Sequence, residues 1–290
     1  MKILITGSTG FVGRNLVPKL ITNGHEVLEL TRNINKSKNF FGDKTIKLEI
    51  QDSEFKYKIL EFNADIVIHL ASYLSSSDEF DEGKKLIKTN IFFLYKVLDS
   101  ISKTQIKLFI NTGSFSEYKD CDSNLKPAYL YAATKTSSRA FLDYYSTTYN
   151  FKYCTVIPYT IYGVKDSARK IIDIIYESIS SNKPLNLSPG KQILDFIHVD
   201  DVTDFYLLLV NNSHKFSNKS NFKLGSGVGH SLRQLAKLIE EITRKKTNIN
   251  WGGIKYRNSD IMYAVADLYE IKKIFDWSPT ITLKDGLNSR

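Results

Sequence analysis

The chain has 290 residues, of which 42% are hydrophobic, 24% charged and 12% aromatic. That balance excludes a disordered chain, which lacks the apolar surface to offset its entropy, and the length suits one domain with an appended lobe or two modest domains. The formal net charge of +9 comes from 40 Lys and Arg against 31 Asp and Glu, chiefly scattered lysines with no basic block of the kind a nucleic-acid arm carries.

No apolar run reaches the roughly 20 residues that span a bilayer, and Met-Lys-Ile-Leu-Ile-Thr-Gly at the start is too short an apolar stretch for a signal-peptide core. Cys121 and Cys154 do not make a disulfide framework. The expectation is a soluble cytoplasmic protein that binds neither nucleic acid nor membrane, its basic surface a mild draw for anionic small molecules.

Lys2 to Ile5 reads as a strand buried on both faces. Gly7, Gly10 and Gly13 follow, three positions apart, then a helical pattern through Leu16, Leu20 and Ile21 that ends at Asn23-Gly24, and a second strand from Glu26 to Leu30. Strand, glycine turn, helix and strand open a dinucleotide-binding sheet, with the helix N-terminus facing the phosphates. Further strands are predicted at Asp65–Leu70, Leu108–Thr112 and Tyr153–Pro158, with helices near 84–103 and 129–149 between them. This alternation predicts an α/β fold with a doubly wound parallel sheet. After about Gly163 it lapses. Helices near 168–181 and 231–245, with a Pro- and Gly-containing stretch between, read as a smaller C-terminal substrate-binding lobe over the carboxyl ends of the strands. The division expected is 1–163 plus about 191–228 for the dinucleotide domain, and about 164–190 plus 229–290 for the lobe.

Two side chains carry the chemistry. Tyr131 and Lys135 stand four apart and share one helix face. An ammonium beside a phenol stabilises the phenolate, lowers its pKa and makes it a usable proton donor and acceptor. With 17 tyrosines in a lysine-rich chain, about two such pairs arise by chance, and Tyr269/Lys273 is the other; Tyr131 is preferred because it follows the strand ending at Thr112. At the end of the second strand stands Thr31-Arg32-Asn33. An NAD site wants a carboxylate there and an NADP site a cation, so Arg32 points to NADP (NADPH) rather than NAD. The five histidines (His25, His69, His198, His214, His230) lack ligand spacing, so no metal is expected.

The glycine spacing and the Tyr131-Ala-Ala-Thr-Lys135 segment resemble the short-chain dehydrogenase/reductase superfamily, in its extended, nucleotide-sugar branch (epimerase/dehydratase type, Rossmann fold). The resemblance runs over nearly the whole chain. Asp65-Ile-Val-Ile-His69-Leu70-Ala71 is similar to the fourth-strand motif, Asn90 to a structural Asn at a helix start, and Pro158-Tyr-Thr-Ile-Tyr-Gly163 to the motif after the sixth strand. Asp195-Phe-Ile-His-Val-Asp-Asp-Val is similar to the return-strand signature. It implies that Ser114, four residues before Tyr118, is the catalytic hydroxyl beside Tyr131 and Lys135, with Ser116 and Thr112 the alternative hydroxyls, which could simply cap the loop. Gly7, Thr9, Gly10, Phe11, Val12, Gly13, Thr31, Arg32, Leu70, Ala71, Ser72, Asn90, Thr112 and Pro158 would line the cofactor with Tyr131 and Lys135. Tyr73, Ser114, Phe115, Thr160 and Arg257 would meet the substrate, Arg257 at its pyrophosphate. The chain departs from the branch at Thr160, where Asn is usual, at Leu194, where Arg is common, and in stopping soon after Asp285-Gly286-Leu287.

The branch's reactions need different residues. A 4,6-dehydratase has an Asp-Glu pair after the catalytic hydroxyl, where this chain has Phe115-Ser116. A fucose-synthase-type epimerase-reductase has a Cys beside that hydroxyl, and Cys121 and Cys154 lie elsewhere. A 4-epimerase typically keeps an acid at the position of Thr31. The resemblance therefore implies an enzyme similar to the NADPH-dependent 4-ketoreductases of CDP- or dTDP-4-keto-6-deoxyglucose, including at Asp166-Ser167 and Leu194-Asp195-Phe196. Such an enzyme would act on a nucleotide-diphosphate sugar in bacterial surface-polysaccharide (O-antigen) synthesis. The alternatives are a 4-epimerase of the UDP-glucose type with bound NAD and, from another class, a noncatalytic NADP-binding regulator. Homodimerisation through the helices near 84–103 and 129–149 is implied by the family.

Overall fold

Short aliphatic runs alternate with longer amphipathic ones, and in the computed structural model, which describes residues 1–119, 124–163 and 169–289, each becomes a strand or helix. In chain order these are β1 (Lys2–Thr6), α1 (Phe11–Thr22), β2 (Glu26–Thr31), α2 (Ile34–Phe41), β3 (Ile46–Glu49), α3 (Phe55–Phe62) and β4 (Ile66–His69). One continuous helical rod follows: α4 (Phe80–Leu86), a π-helical turn (Ile87–Phe92) and α5 (Phe93–Ile101). Then come β5 (Leu108–Thr112), a 3-10 turn (Phe115–Glu117), α6 (Leu130–Tyr149), β6 (Lys152–Pro158) and β7 (Thr160–Tyr162). The remainder is α7 (Ile171–Ser178), β8 (Leu185–Leu187), β9 (Ile193–His198), α8 (Val199–Asn211), β10 (Ser220–Leu224), β11 (Gly229–Ser231), α9 (Leu232–Thr243), β12 (Ile249–Trp251), β13 (Tyr263–Ala264), α10 (Tyr269–Phe275) and α11 (Leu283–Asn288). Cys121 and the Asp166-Ser167 segment lie outside the described residues.

Seven parallel strands form the main sheet in the order β10-β6-β5-β4-β1-β2-β3. Successive side chains of a strand point to opposite faces, and β1 divides accordingly. Ile3 and Ile5 pack with Leu16, Leu20 and Phe205 from α1 and α8, whereas Leu4 packs with Leu98 of α5 and Leu142 of α6. Covering both faces is what makes the strands read as unbroken apolar runs. The order reverses between β1 and β4, so a crevice for a ligand opens beyond their carboxyl ends. Neither β3 nor β10 is evident in the sequence pattern: β3 is four residues, two of them charged, at the sheet edge.

The second part has its own core of Tyr162, Ile172, Phe196, Leu235, Ile239 and Leu287. Within the stretch 191–228 expected to go with the dinucleotide domain, β9 pairs with β7, β11 and β13 in a separate small sheet. Asp195 explains its hold there. Fully buried, it accepts hydrogen bonds from the Ser226 and Gly227 amides (2.7 and 2.9 Å), the Ser226 hydroxyl (2.6 Å) and the Ala266 amide (3.1 Å). Only β10 of that stretch joins the main sheet, with α8 packed on α1.

Candidate active site

The glycine turn sits between β1 and α1 because two of its positions admit no side chain. Gly7 has φ +71°, and a Cβ there would lie 2.7 Å from the Ala71 amide nitrogen; at Gly13 a Cβ would lie 2.3 Å from the Gly7 carbonyl oxygen. The turn therefore lies directly against the backbone after β4. Thr6 fastens the two, accepting from the Ala71 amide (3.1 Å) and bonding His69 Nδ1 (3.0 Å). Burial pushes His69 down to about 3, with Lys135 adding to the effect, so it is neutral. Helix α1 begins at Gly10 with no side-chain cap and no acid in its first turn, leaving the first-turn N–H groups to a ligand. The Phe11 ring lies under the cations of Lys170 (4.3 Å) and Arg14 (5.3 Å). A dinucleotide pyrophosphate fits this cradle, in which Thr9, Gly10, Phe11 and Val12 line the turn and Leu70, Ala71 and Ser72 continue from β4.

Tyr131, Lys135 and Ser114 are brought together beyond the carboxyl end of β5. Lys135 is buried and donates to the Thr112 carbonyl at 2.9 Å, its ammonium 6.0 Å from the centre of the Tyr131 ring. The Ser114 and Ser72 hydroxyls act on the Tyr131 phenol from beside it. Two electrostatic findings follow. Burial lowers the Lys135 pKa to about 8, with the Glu117 carboxylate opposing the shift. The Tyr131 phenol, expected to be acidified by that ammonium, is instead pushed well above its ordinary value, by burial first and by neighbouring Tyr129 next, with only Ser72 and Ser114 pulling it back. The Lys135 ammonium, for its part, is directed at the Thr112 carbonyl. At neutral pH the site thus holds a protonated phenol and a largely protonated amine. The chance pair Tyr269/Lys273 also has its cation over its ring, at 5.6 Å, but Tyr269 is exposed on α10.

Several expected contact residues are occupied by protein. The Asn90 amide accepts from the Tyr73 amide (2.7 Å) and the Ser72 hydroxyl (3.3 Å) and donates to the Tyr73 carbonyl (3.0 Å) and the Thr134 hydroxyl (2.9 Å). Its polar atoms clamp the loop after β4 to α6, the structural part the sequence resemblance gave it. It stands within the π turn of the rod, where a helix start was expected. Tyr73 donates its hydroxyl to Glu82 on α4 at 2.7 Å. The Thr112 hydroxyl bonds Tyr206 at 2.7 Å. Thr31 closes a turn onto Asn33 (3.1 Å), and Arg32 beside it is exposed. Pro158 ends β6 opposite Leu224, and Thr160 sits in β7 opposite Phe196. Phe115 stacks on Tyr159 with ring centres 5.5 Å apart. Arg257 reaches from the small lobe to the Ser76 hydroxyl at 3.3 Å, and Leu194 packs on the small-lobe core.

Two residues at the site escaped the sequence reading. Glu117, fully buried, accepts from the Ser114 amide at 2.8 Å and from Arg139 Nε at 2.9 Å. The signal was present: Ser114-Phe-Ser-Glu117 has capping-box spacing, and the box is formed. Among the described residues no cluster of three metal-ligating side chains occurs and no helix is long and apolar enough to cross a membrane.

A parallel sheet with a glycine turn at its switch point and a Tyr–Lys pair at the end of β5 defines an α/β dinucleotide-binding enzyme. The chain belongs to the NAD dependent epimerase/dehydratase family, whose model matches residues 3–225. Among curated relatives, a protein named CDP-abequose synthase from Yersinia pseudotuberculosis is 31% identical over 281 residues, 95% of this chain and 94% of that one. A UDP-glucose 4-epimerase of Mycolicibacterium smegmatis is 22% identical over 306 residues, 99% and 96% of the two chains. The fold matches a UDP-glucuronic acid 4-epimerase of Bacillus cereus with bound NAD at TM-score 0.89 and 20% identity, covering 100% of this chain and 97% of that one. It matches a UDP-glucose 4-epimerase of Thermotoga maritima with UDP-glucose at TM-score 0.85 and 24% identity, with the same coverage.

Proposed function

We propose that the protein reduces the 4-keto group of a nucleotide-diphosphate 4-keto-6-deoxy sugar, a CDP- or dTDP-linked one, for surface-polysaccharide synthesis. One observation carries this reading. The Tyr131 phenol is held protonated, with a largely protonated Lys135 on the same helix and the Ser114 hydroxyl beside it, next to the glycine turn. That is the protonation state from which a carbonyl oxygen can be protonated as negative charge develops on it. Phe115 and Ser116 after Ser114 supply no acid–base pair for dehydration, and the likeness to CDP-abequose synthases agrees with a CDP-sugar substrate.

The glycine turn would hold the pyrophosphate, and exposed Arg32 would take a 2′-phosphate, favouring NADPH. When bound, the cofactor supplies hydride to the keto carbon. Ser114 donates a hydrogen bond to the substrate oxygen, Tyr131 gives it a proton, the negative charge left on the phenol draws the Lys135 ammonium from the Thr112 carbonyl it holds at rest, and water restores the proton. Arg257 would grip the sugar-nucleotide pyrophosphate. Phe80, Ile87, Phe92 and Tyr95 on the α4–α5 rod and Tyr144 on α6 are exposed, which supports a homodimer through these helices, checked by sedimentation.

The test is incubation with CDP-4-keto-6-deoxyglucose. Stoichiometric NADPH oxidation, abolished in Tyr131→Phe while NADPH still binds, is the expected result. Interconversion of UDP-glucose and UDP-galactose without added cofactor would instead establish the second reading, a 4-epimerase, which the likeness to UDP-glucose 4-epimerases favours. Binding without turnover, unchanged by Tyr131→Phe, would refute both.

A further inference from the structure

Fully buried Glu117 and half-buried Arg139 form an ion pair that packing alone does not call for. Both charges must be desolvated, and an apolar pair of the same volume is often as stable or more so. The surroundings nonetheless accommodate this one arrangement. Glu117 Oε1 accepts the Ser114 N–H at 2.8 Å, while Oε2 takes Arg139 Nε at 2.9 Å and lies 3.5 Å from the Thr136 hydroxyl. Thr136 and Arg139 are on α6, the helix that carries Tyr131 and Lys135. Arg139 is itself braced by the Tyr118 hydroxyl at 3.2 Å and by Asn221 of β10. Gly113 makes room: a Cβ there would lie 2.5 Å from Glu117 Oε1. The turn bearing Ser114 is therefore fastened to the catalytic helix through one carboxylate. The Ser114 hydroxyl is fixed separately, 2.7 Å from the Ser116 hydroxyl and accepting from the Ser116 amide at 3.2 Å.

We propose that Glu117, locked by Arg139, is a positioning residue for the reduction. It holds Ser114 in register with Tyr131 by tying the Ser114 amide to Arg139 on the helix that carries Tyr131 and Lys135. This rests on the reductase reading above and adds to it a group that touches neither substrate nor cofactor. The pH profile gives a separate readout. Around Lys135 lie neutral His69 of β4, Tyr131 and, one turn on, Arg139 of its own helix, and Glu117 of the turn, of which Glu117, paired with Arg139, favours the charged lysine. Removing that charge moves the lysine's titration further below about 8, so the alkaline limb of the kcat profile shifts to lower pH.

The experiment compares wild type, Glu117→Gln and Tyr131→Phe in NADPH oxidation with CDP-4-keto-6-deoxyglucose, with NADPH binding measured separately. Glutamine keeps an acceptor for the Ser114 amide and removes the charge. Expected for Glu117→Gln are NADPH affinity within twofold of wild type, kcat lower by about tenfold to a hundredfold, the scale of a misplaced catalytic group, and the shifted alkaline limb. Because Glu117→Gln leaves Arg139 unpaired, Glu117→Gln/Arg139→Gln, which removes both charges, is measured as well and is expected to lose kcat similarly. A kcat within threefold of wild type, with an unmoved limb, in either folded variant would overturn the proposal. So would failure of both to fold, which would assign the pair to the core. An active Tyr131→Phe would instead overturn the reductase reading itself.

Discussion

Replacing Gly7 with Ala separates two costs that the glycine turn combines. The first is conformational: at φ +71° a Cβ crowds its own backbone, worth about 1–2 kcal/mol. The second is contact. The added carbon would sit 2.7 Å from the Ala71 nitrogen, 2.9 Å from its Cα and 2.9 Å from the Leu70 carbonyl carbon. All three are backbone atoms, so relief requires moving the segment after β4, at about 1–3 kcal/mol for overpacking of this kind. Gly24 supplies the control, with φ +76° and nothing within 4 Å of its Cβ, so Gly24→Ala bears the first cost alone. Urea unfolding at constant m reads both. Gly7→Ala should lie about 2 kcal/mol below Gly24→Ala and lose NADPH binding, which Gly24→Ala retains. If the two midpoints coincide, the close approach of turn and strand is not what glycine secures there.

Lys135→Met abolishes turnover yet removes a buried ammonium. Because the native lysine titrates near 8 and an unfolded one near 10.5, the unfolded chain binds more protons between those values. Wild-type stability relative to the variant therefore rises with pH across that window, by on the order of 3 kcal/mol in full. Paired urea titrations at pH 7 and pH 10 read the difference, and a pH-independent gap contradicts the assignment. Arg32→Ala should raise the apparent constant for NADPH at least tenfold more than that for NADH, as expected for a lost charge-assisted phosphate contact of about 1.5–3 kcal/mol; equal effects remove Arg32 from the cofactor site.

What the sequence revealed is what short-range spacing encodes. Gly7, Gly10 and Gly13 and the Tyr131/Lys135 pair are fixed by three- and four-residue intervals, and both sets fall where the glycine turn and the catalytic helix form. Partnerships across the chain were not legible. Asn90, expected as a structural Asn, spends its amide on residues 17 and 44 positions away, and neither partner can be read from the residues around it. Arg139 and Glu117 are 22 positions apart, and only folding shows that the capping-box acid is also an ion-pair partner. The direction of the Tyr131 shift depends first on burial, which a four-residue interval does not specify. An apolar run does not say which sheet receives it: β9 lies in the small sheet, where buried Asp195 accepts from the Ser226, Gly227 and Ala266 amides.

The π-helical turn at Ile87–Phe92 places Asn90 opposite Tyr73 by accommodating one residue more than an α-helix of the same length. Each residue of an α-helix turns the chain by about 100°, so loss of one codon within this stretch would restore regular winding, swing Asn90 off its partners and release the loop beside Tyr131. The winding of this one turn therefore sets the hold on the loop beside Tyr131, and a single in-frame deletion would undo it without touching the Tyr131–Lys135 pair.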